Sequence, residues 1–159
     1  MQLLAQEEYG LRCLIELSRH PGPRPLTIHE IADAEGLSPD YTAKLLRELR
    51  RGGLVVSTRG AAGGYRLSRS PAAITVWDAI QVLGGSLFPD SFCACHPGQR
   101  ERCVRGSDCA LRALWRVVDG AVRDVLSRIT LRDLGRSEPA MASWLQARGS
   151  DLEPSRRTP

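Results

Sequence analysis

The sequence predicts a mainly α-helical chain that carries one small β-hairpin and a long amphipathic helix beyond it. Three observations predict it. Apolar residues recur at three- and four-residue spacing in several stretches before residue 84 and again from 111 to 129. Two short runs rich in β-branched and aromatic residues flank a glycine-rich segment at 60–64. Four of the five cysteines fall between residues 93 and 109, among Gly, Pro, Ser and charged residues that cannot pack a core.

The totals frame these elements. At 159 residues the chain suffices for one ordinary domain, or a small domain with an interaction arm. No apolar run approaches the roughly 18 to 20 residues that cross a bilayer, so no membrane partner is expected. A net charge of +4 and a pI near 9.0 suit a polyanionic partner. Between residues 44 and 69 the bases are Lys44, Arg47, Arg50, Arg51, Arg59, Arg66 and Arg69, opposed only by Glu48. A solvated helix face is the plain alternative for such a run.

In chain order, residues 7 to about 19 place Leu11, Leu14, Ile15 and Leu17 at helical spacing, and His20-Pro21-Gly22-Pro23 ends the helix. Glu7 and Glu8 lie in its first turn, where the positive end of the helix dipole favours carboxylates. Cys13, among the apolar residues, reads as a small core side chain. Thr27-Ile28-His29-Glu30 has the form of a capping box, opening a short helix that ends at Gly36. His29 on that helix reads as structural. Ser38-Pro39 caps and starts the next helix, which runs to about residue 51. Tyr41, Leu45, Leu46 and Leu49 form its expected buried stripe, leaving Thr42, Lys44, Arg47 and Arg51 facing outward.

A short helix, a glycine turn and a second helix with exposed Thr, Lys and Arg make a helix-turn-helix, whose second helix fits the major groove. The runs Leu54-Val55-Val56-Ser57-Thr58 and Gly64-Tyr65-Arg66-Leu67-Ser68 then read as a hairpin wing with Arg59 at its tip, the kind of cation a narrow minor groove attracts. An ordinary surface hairpin is the competing reading. In this order the elements predict duplex DNA binding through Ser38, Tyr41, Thr42, Lys44, Arg47 and Arg59.

Thr75 caps a further short helix closed by Gly84-Gly85, expected to pack on the N-terminal helices. After the cysteines, Leu111, Leu114, Trp115, Val118, Val122, Val125, Leu126 and Ile129 form a stripe that needs a partner helix. The same helix of a second subunit is expected to supply it, in a two-fold homodimer suited to a palindromic operator. Thr130-Leu131-Arg132-Asp133-Leu134 adds a last apolar contact. The expected organisation is a winged helix-turn-helix domain at 1–70, a connecting helix at 71–91, a cysteine loop at 92–110, a dimerisation helix at 111–135 and a flexible tail at 136–159.

Thiolates crowded into a polar loop suit either a metal or iron-sulfur centre or a set of disulfides, and cellular compartment decides between them. The first residues have no basic start and turn acidic before any long apolar run, so a reducing cytoplasm is expected. Iron-sulfur clusters prefer soft thiolate ligands. Zinc is the rival, because Cys93, Cys95, Cys103 and Cys109 suffice for a tetrahedral site, and cysteine-only redox switching is the third reading. His96 is a further possible ligand, or a solvated loop histidine.

The helix reaching Tyr9, the run Gly36-Leu37-Ser38-Pro39-Asp40-Tyr41, the segment Leu54-Val55 to Arg59-Gly60 with Gly63-Gly64-Tyr65, and the cysteine loop before Leu114-Trp115 resemble the iron-sulfur winged-helix regulators of the IscR and NsrR type. The resemblance covers most of residues 1–135. It implies a dimeric transcription factor whose 2Fe–2S or 4Fe–4S cluster changes DNA affinity as it is gained, lost or oxidised, by redox change, nitric oxide or iron status. Cys103 and Cys109 match the second and third cysteines of the family loop. Cys95 is favoured as the first and Cys93 is the alternative; the seven residues between Cys95 and Cys103 make a longer loop than usual. Arg112 stands where IscR-like members have a histidine ligand. Glu8, from the neighbouring subunit, matches the carboxylate ligand of NsrR-like members.

An electron-transfer or cluster-carrier protein that uses the fold only to bind protein is a rival from another class. An enzyme is not expected: no Ser-His-Asp or Cys-His set and no paired-carboxylate cleft stands out. Gly60 to Gly64 lies between strands, the wrong setting for a phosphate loop.

Overall fold

The computed structural model describes residues 4–22, 24–60, 63–85, 88, 92–106 and 108–149. Local signals explain most of its elements. Helix α1 (Ala5–Arg19) begins where the Leu4 amide donates to the Glu7 carboxylate, and it buries Gly10, Cys13, Leu14 and Leu17 on one face. Helix α2 (Ile28–Glu35) has a full capping box: the Glu30 amide donates to Thr27 Oγ1 at 3.2 Å and the Thr27 amide donates to Glu30 Oε2 at 2.8 Å. Gly36, at φ 65°, closes it in the left-handed conformation. Helix α3 (Pro39–Arg51) starts with Ser38 Oγ accepting from the Tyr41 amide.

Strands β1 (Val55–Thr58) and β2 (Gly64–Leu67) pair antiparallel, Val55 opposite Leu67 and Thr58 opposite Gly64. Leu26 adds a bridge to Tyr65, each amide donating to the other's carbonyl at 2.9 and 2.7 Å. A side chain at Gly64 would collide with the Leu26 carbonyl, so the wing's inner edge admits only glycine there.

A 3₁₀ turn (Pro71–Ala73) leads into α4 (Val76–Leu83), capped by Thr75 with Asp78. Helix α4 interlocks with α1, as expected. Gly10 makes room for Leu83, Gly84 for the Glu7 carboxylate, and Gln6 Nε2 donates to the Leu83 carbonyl. Beyond it come α5 (Phe92–Cys95), α6 (Ala110–Leu126), α7 (Leu131–Leu134) and α8 (Glu138–Ala147).

One core joins α1, α2, α3, β1 and α4 through Leu14, Leu17, Ile31, Leu45, Leu46, Leu49, Leu54, Val55, Ile74 and Leu83. Two expected boundaries are corrected. Residues 129–134 do not extend the long helix; they return to the head. The Val76 amide donates to the Ile129 carbonyl and the Leu131 amide to the Ile74 carbonyl, and Leu131 is fully buried in the main core. Residues 138–147 are not a loose tail but helix α8, whose Met141, Trp144 and Leu145 pack with Val76, Ile80 and Ile129 in a second, smaller core. The rest of the expected tail, 150–159, lies outside the described residues.

Candidate nucleic-acid interface and cysteine loop

Helix α3 buries Thr42, Leu45, Leu46 and Leu49, spaced i, i+3, i+4 and i+7. This turns Lys44 and Arg47 outward, exposed and free of ion pairs among the described residues. Thr42 is the correction. Expected on the outer face, it is 0 % exposed, because it sits one turn before Leu45 and Leu46 on the buried stripe. Its hydroxyl has no hydrogen-bond partner among the described residues. Ser38 is exposed while its Oγ caps the helix, and the half-buried Tyr41 ring meets Tyr9 edge-on at 6.0 Å.

Arg59 is exposed where the chain leaves β1, followed by Gly60 at φ 106°, a conformation that favours glycine. The wing residues 61 and 62 lie outside the described residues. Arg66, which the sequence reading counted as basic but did not select, is exposed on β2 between half-buried Tyr65 and Leu67. Strand alternation was the signal for it. Arg50 and Arg51 are engaged, the first donating to Ser57 Oγ at 3.2 Å and the second paired with Glu48 at 2.9 Å. Lys44, Arg47, Arg59 and Arg66 therefore present charge that no carboxylate among the described residues pairs with.

The cysteine loop lies apart from the head core. Cys93 and Cys95 are on α5, the first half-buried and the second exposed; Cys103 and Cys109 are half-buried, Cys109 at the N-cap of α6. Cys13 is core, as expected, and burial pushes its thiol up to about 12, which removes it from thiolate chemistry. All five are free thiols. Glu8 is exposed in the first turn of α1.

In kind and number the loop's sulfur donors fit a soft metal centre. They stand open: among the described residues, no three His, Cys, Asp or Glu side chains come together as a metal-holding group. The structure of the single chain thus does not assemble Cys95, Cys103, Cys109 and Glu8. His96 is placed more definitely than its sequence context suggested. Its ring stacks on Phe92 at 4.2 Å and its Nδ1 lies 3.0 Å from the Phe92 carbonyl oxygen.

Helix α6 leaves its first half uncovered: Leu111, Leu114, Trp115 and Val117 are 59, 51, 46 and 70 % exposed. Further on, Ala121, Val122, Val125 and Leu126 border an open apolar hollow of about 250 Å³. No helix among the described residues is long and apolar enough to cross a membrane.

A three-helix head with a hairpin wing and an outward basic face on its third helix defines a winged helix-turn-helix DNA-binding protein. Residues 3–137 match the Rrf2 family, described as an iron-dependent transcriptional regulator. The chain is 37 % identical over 134 residues to the HTH-type transcriptional regulator CymR of Bacillus subtilis, covering 84 % of this chain and 89 % of that one. It is 30 % identical over 134 residues to the HTH-type transcriptional regulator IscR of Vibrio cholerae, covering 84 % and 75 %. The solved structure of CymR, the global cysteine regulator of B. subtilis, superposes with a TM-score of 0.67 at 36 % identity over 85 % of this chain and 96 % of that one. The chain belongs to the Rrf2 family and is a DNA-binding transcriptional regulator, not an enzyme.

Proposed function

We propose that this regulator binds a palindromic operator as a homodimer in a reducing cytoplasm, and that an iron-sulfur cluster held by its cysteine loop sets how tightly it binds. One observation carries the reading. The chain combines an unneutralised basic face on α3 and the wing with a separate loop that holds every cysteine outside the core.

Lys44 and Arg47 are suited to base edges or phosphates of the major groove, Ser38 and Tyr41 to fixing the helix on the backbone, and Arg59 to the minor groove. Thr42 drops out, being buried. The uncovered face of α6 is the dimer contact, and the Cys109 N-cap joins the loop directly to it. Cys103, Cys109 and one of Cys93 and Cys95 supply thiolates, with a fourth donor from Glu8 of a second subunit or from the loop itself. When bound, the cluster supplies a centre open to oxidants and nitric oxide. Repositioning of the loop against α6 alters the spacing of two heads, and a coupling of about 1–3 kcal/mol would change operator affinity roughly 5- to 150-fold.

A second reading, thiol switching without a centre, is favoured by the open arrangement of the four loop thiols. Two measurements test the proposal. Protein purified without oxygen is expected to absorb in the visible, to contain iron and sulfide, and to bleach with nitric oxide; a colourless preparation holding stoichiometric zinc, or none, overturns the cluster. Arg59→Ala is expected to weaken operator binding while the dimer persists, and an unchanged affinity at moderate salt would remove the wing from the interface.

A further inference from the structure

We propose that the cavity between the end of α1 and the root of the wing binds a small organic monocarboxylate, with Arg66 as its counter-charge and Ser70 as a hydrogen-bond donor. The site lies in the head and uses no residue of the cysteine loop.

The cavity forms where two segments leave their elements. On one side α1 ends at Arg19 and the chain continues through His20, Pro21 and Gly22; on the other, β2 ends at Leu67 and residues 68–70 lead to the 3₁₀ turn. Between them is an open cavity of about 320 Å³. Small-molecule sites span about 300–1,000 Å³, so this one suits a small ligand. Buried Leu17, with Pro21, Leu67 and Pro71, gives it apolar walls. Gly22 adds nothing to fill the α1 side, where a β-carbon would meet no atom within 4 Å.

The polar groups can be sorted by what they already do. Ser18 Oγ donates to the Ile15 carbonyl at 2.7 Å and Ser68 Oγ donates to the Gly53 carbonyl at 2.6 Å, so both hydroxyl protons are spent. Ser70 Oγ accepts from the Ala72 amide, which leaves its proton for a ligand. Arg69 is held in place: Nε donates to the Ala73 carbonyl at 2.8 Å and Nη2 to Asp78 at 3.2 Å, leaving Nη1. Arg66 is exposed beside them, with no ion pair among the described residues.

Charge then selects the ligand. Three basic side chains line the cavity, and two are matched: Arg69 by Asp78, and His20, whose Nδ1 lies 3.4 Å from Glu16 Oε1. Arg66 is the cation left over. A single carboxylate answers it one for one, and its two coplanar oxygens match the guanidinium fork. A phosphate dianion would bring a second charge that lacks a partner and would lose hydration without return. The ligand's apolar body is matched to the leucine and proline walls.

The test titrates the full chain, labelled with nitrogen-15, with acetate, isovalerate and benzoate, and reads backbone amide shifts. Benzamide serves as the uncharged control and inorganic phosphate as the rival anion. Affinity is expected to rise from acetate to benzoate as the apolar body grows, with the shifted amides confined to residues 17–22 and 66–72. Benzamide is expected to leave them unmoved. Arg66→Gln, an exposed change that keeps the fold, is expected to weaken benzoate at least about tenfold. Shifts spread over the Lys44 and Arg47 face instead, or an unchanged benzoate affinity in Arg66→Gln, would overturn the site. Tighter binding of inorganic phosphate than of benzoate would overturn the ligand class, and no shift at these residues with any of the three carboxylates would remove the proposal altogether.

Discussion

Thr42 shows how much one hydroxyl matters in a small head. It is fully buried and its oxygen finds no partner among the described residues, an arrangement that costs about 1–3 kcal/mol. Thr42→Val keeps the shape and removes the unsatisfied group. We predict a gain of about 1 kcal/mol in urea unfolding with operator affinity unchanged; a loss of DNA binding would return Thr42 to the interface. A polar residue on an amphipathic helix reads as surface unless the stripe is phased by its neighbours, and Leu45, Leu46 and Leu49 phase it to include position 42. Glu30 carries a different consequence. Hydrogen bonding from Arg24, at 2.6 Å, and then from Thr27 holds its carboxyl at about 2, below its ordinary 4.5. A carboxyl lowered by folding stabilises the native state fully above its unfolded value and loses that contribution as pH falls through the folded one. The difference in thermal midpoint between wild type and Glu30→Gln is therefore predicted to hold steady above pH 4.5 and to shrink toward pH 2. A difference independent of pH would mean that the capping box works without its charge.

At the scale of elements, the head was readable because its signals are local. Thr27, Ser38 and Thr75 cap helices where they were expected to, and Gly36 ends one in the left-handed conformation. The strands also fall where their β-rich runs lie, within a residue. The pairing of residues 74–76 with 129–131 was not readable, since it joins segments more than fifty positions apart. Helix α8 did leave a signal: Ser137 before Glu138-Pro139, with Met141, Trp144 and Leu145 at helical spacing. The helix is short, and the polar stretches on either side of it, Gly135-Arg136-Ser137 and Arg148-Gly149, obscured it. The placement of residue 131 makes a firm prediction. Leu131→Ala opens a cavity in the main core and should destabilise the head by about 2–5 kcal/mol in urea unfolding. A loss below about 1 kcal/mol, with dimerisation weakened instead, would assign Leu131 to the long helix's partner contact.

For the whole molecule, the unanswered apolar area is on α6. Leu114 and Val117 are large, exposed and close in sequence, and a stable interface buries about 800 Å² on each partner. Leu114→Asp combined with Val117→Asp is predicted to halve the mass seen by sedimentation while the head's circular dichroism is kept. Operator affinity should fall by a factor of about 100 or more as two linked half-sites become independent. A variant that keeps the wild-type mass would place the dimer contact elsewhere. The site was legible in the same uneven way. Lys44, Arg47 and Arg59 follow from a local motif and emerge exposed. The four loop thiols emerge open and unassembled among the described residues, and their spacing in sequence does not encode how the loop is laid out.

The ladder from Ile74 to Val76 and from Ile129 to Leu131 ties both ends of the cysteine arm to the DNA-binding head. The arm is a tethered strap, not a pendant tail. A strap fixed at both feet cannot relieve a shortening by sliding a loose end. Any contraction at its apex pulls on its anchorage beside α4, and a peptide-bond cut at that apex would free the pull while leaving the two pieces clasped.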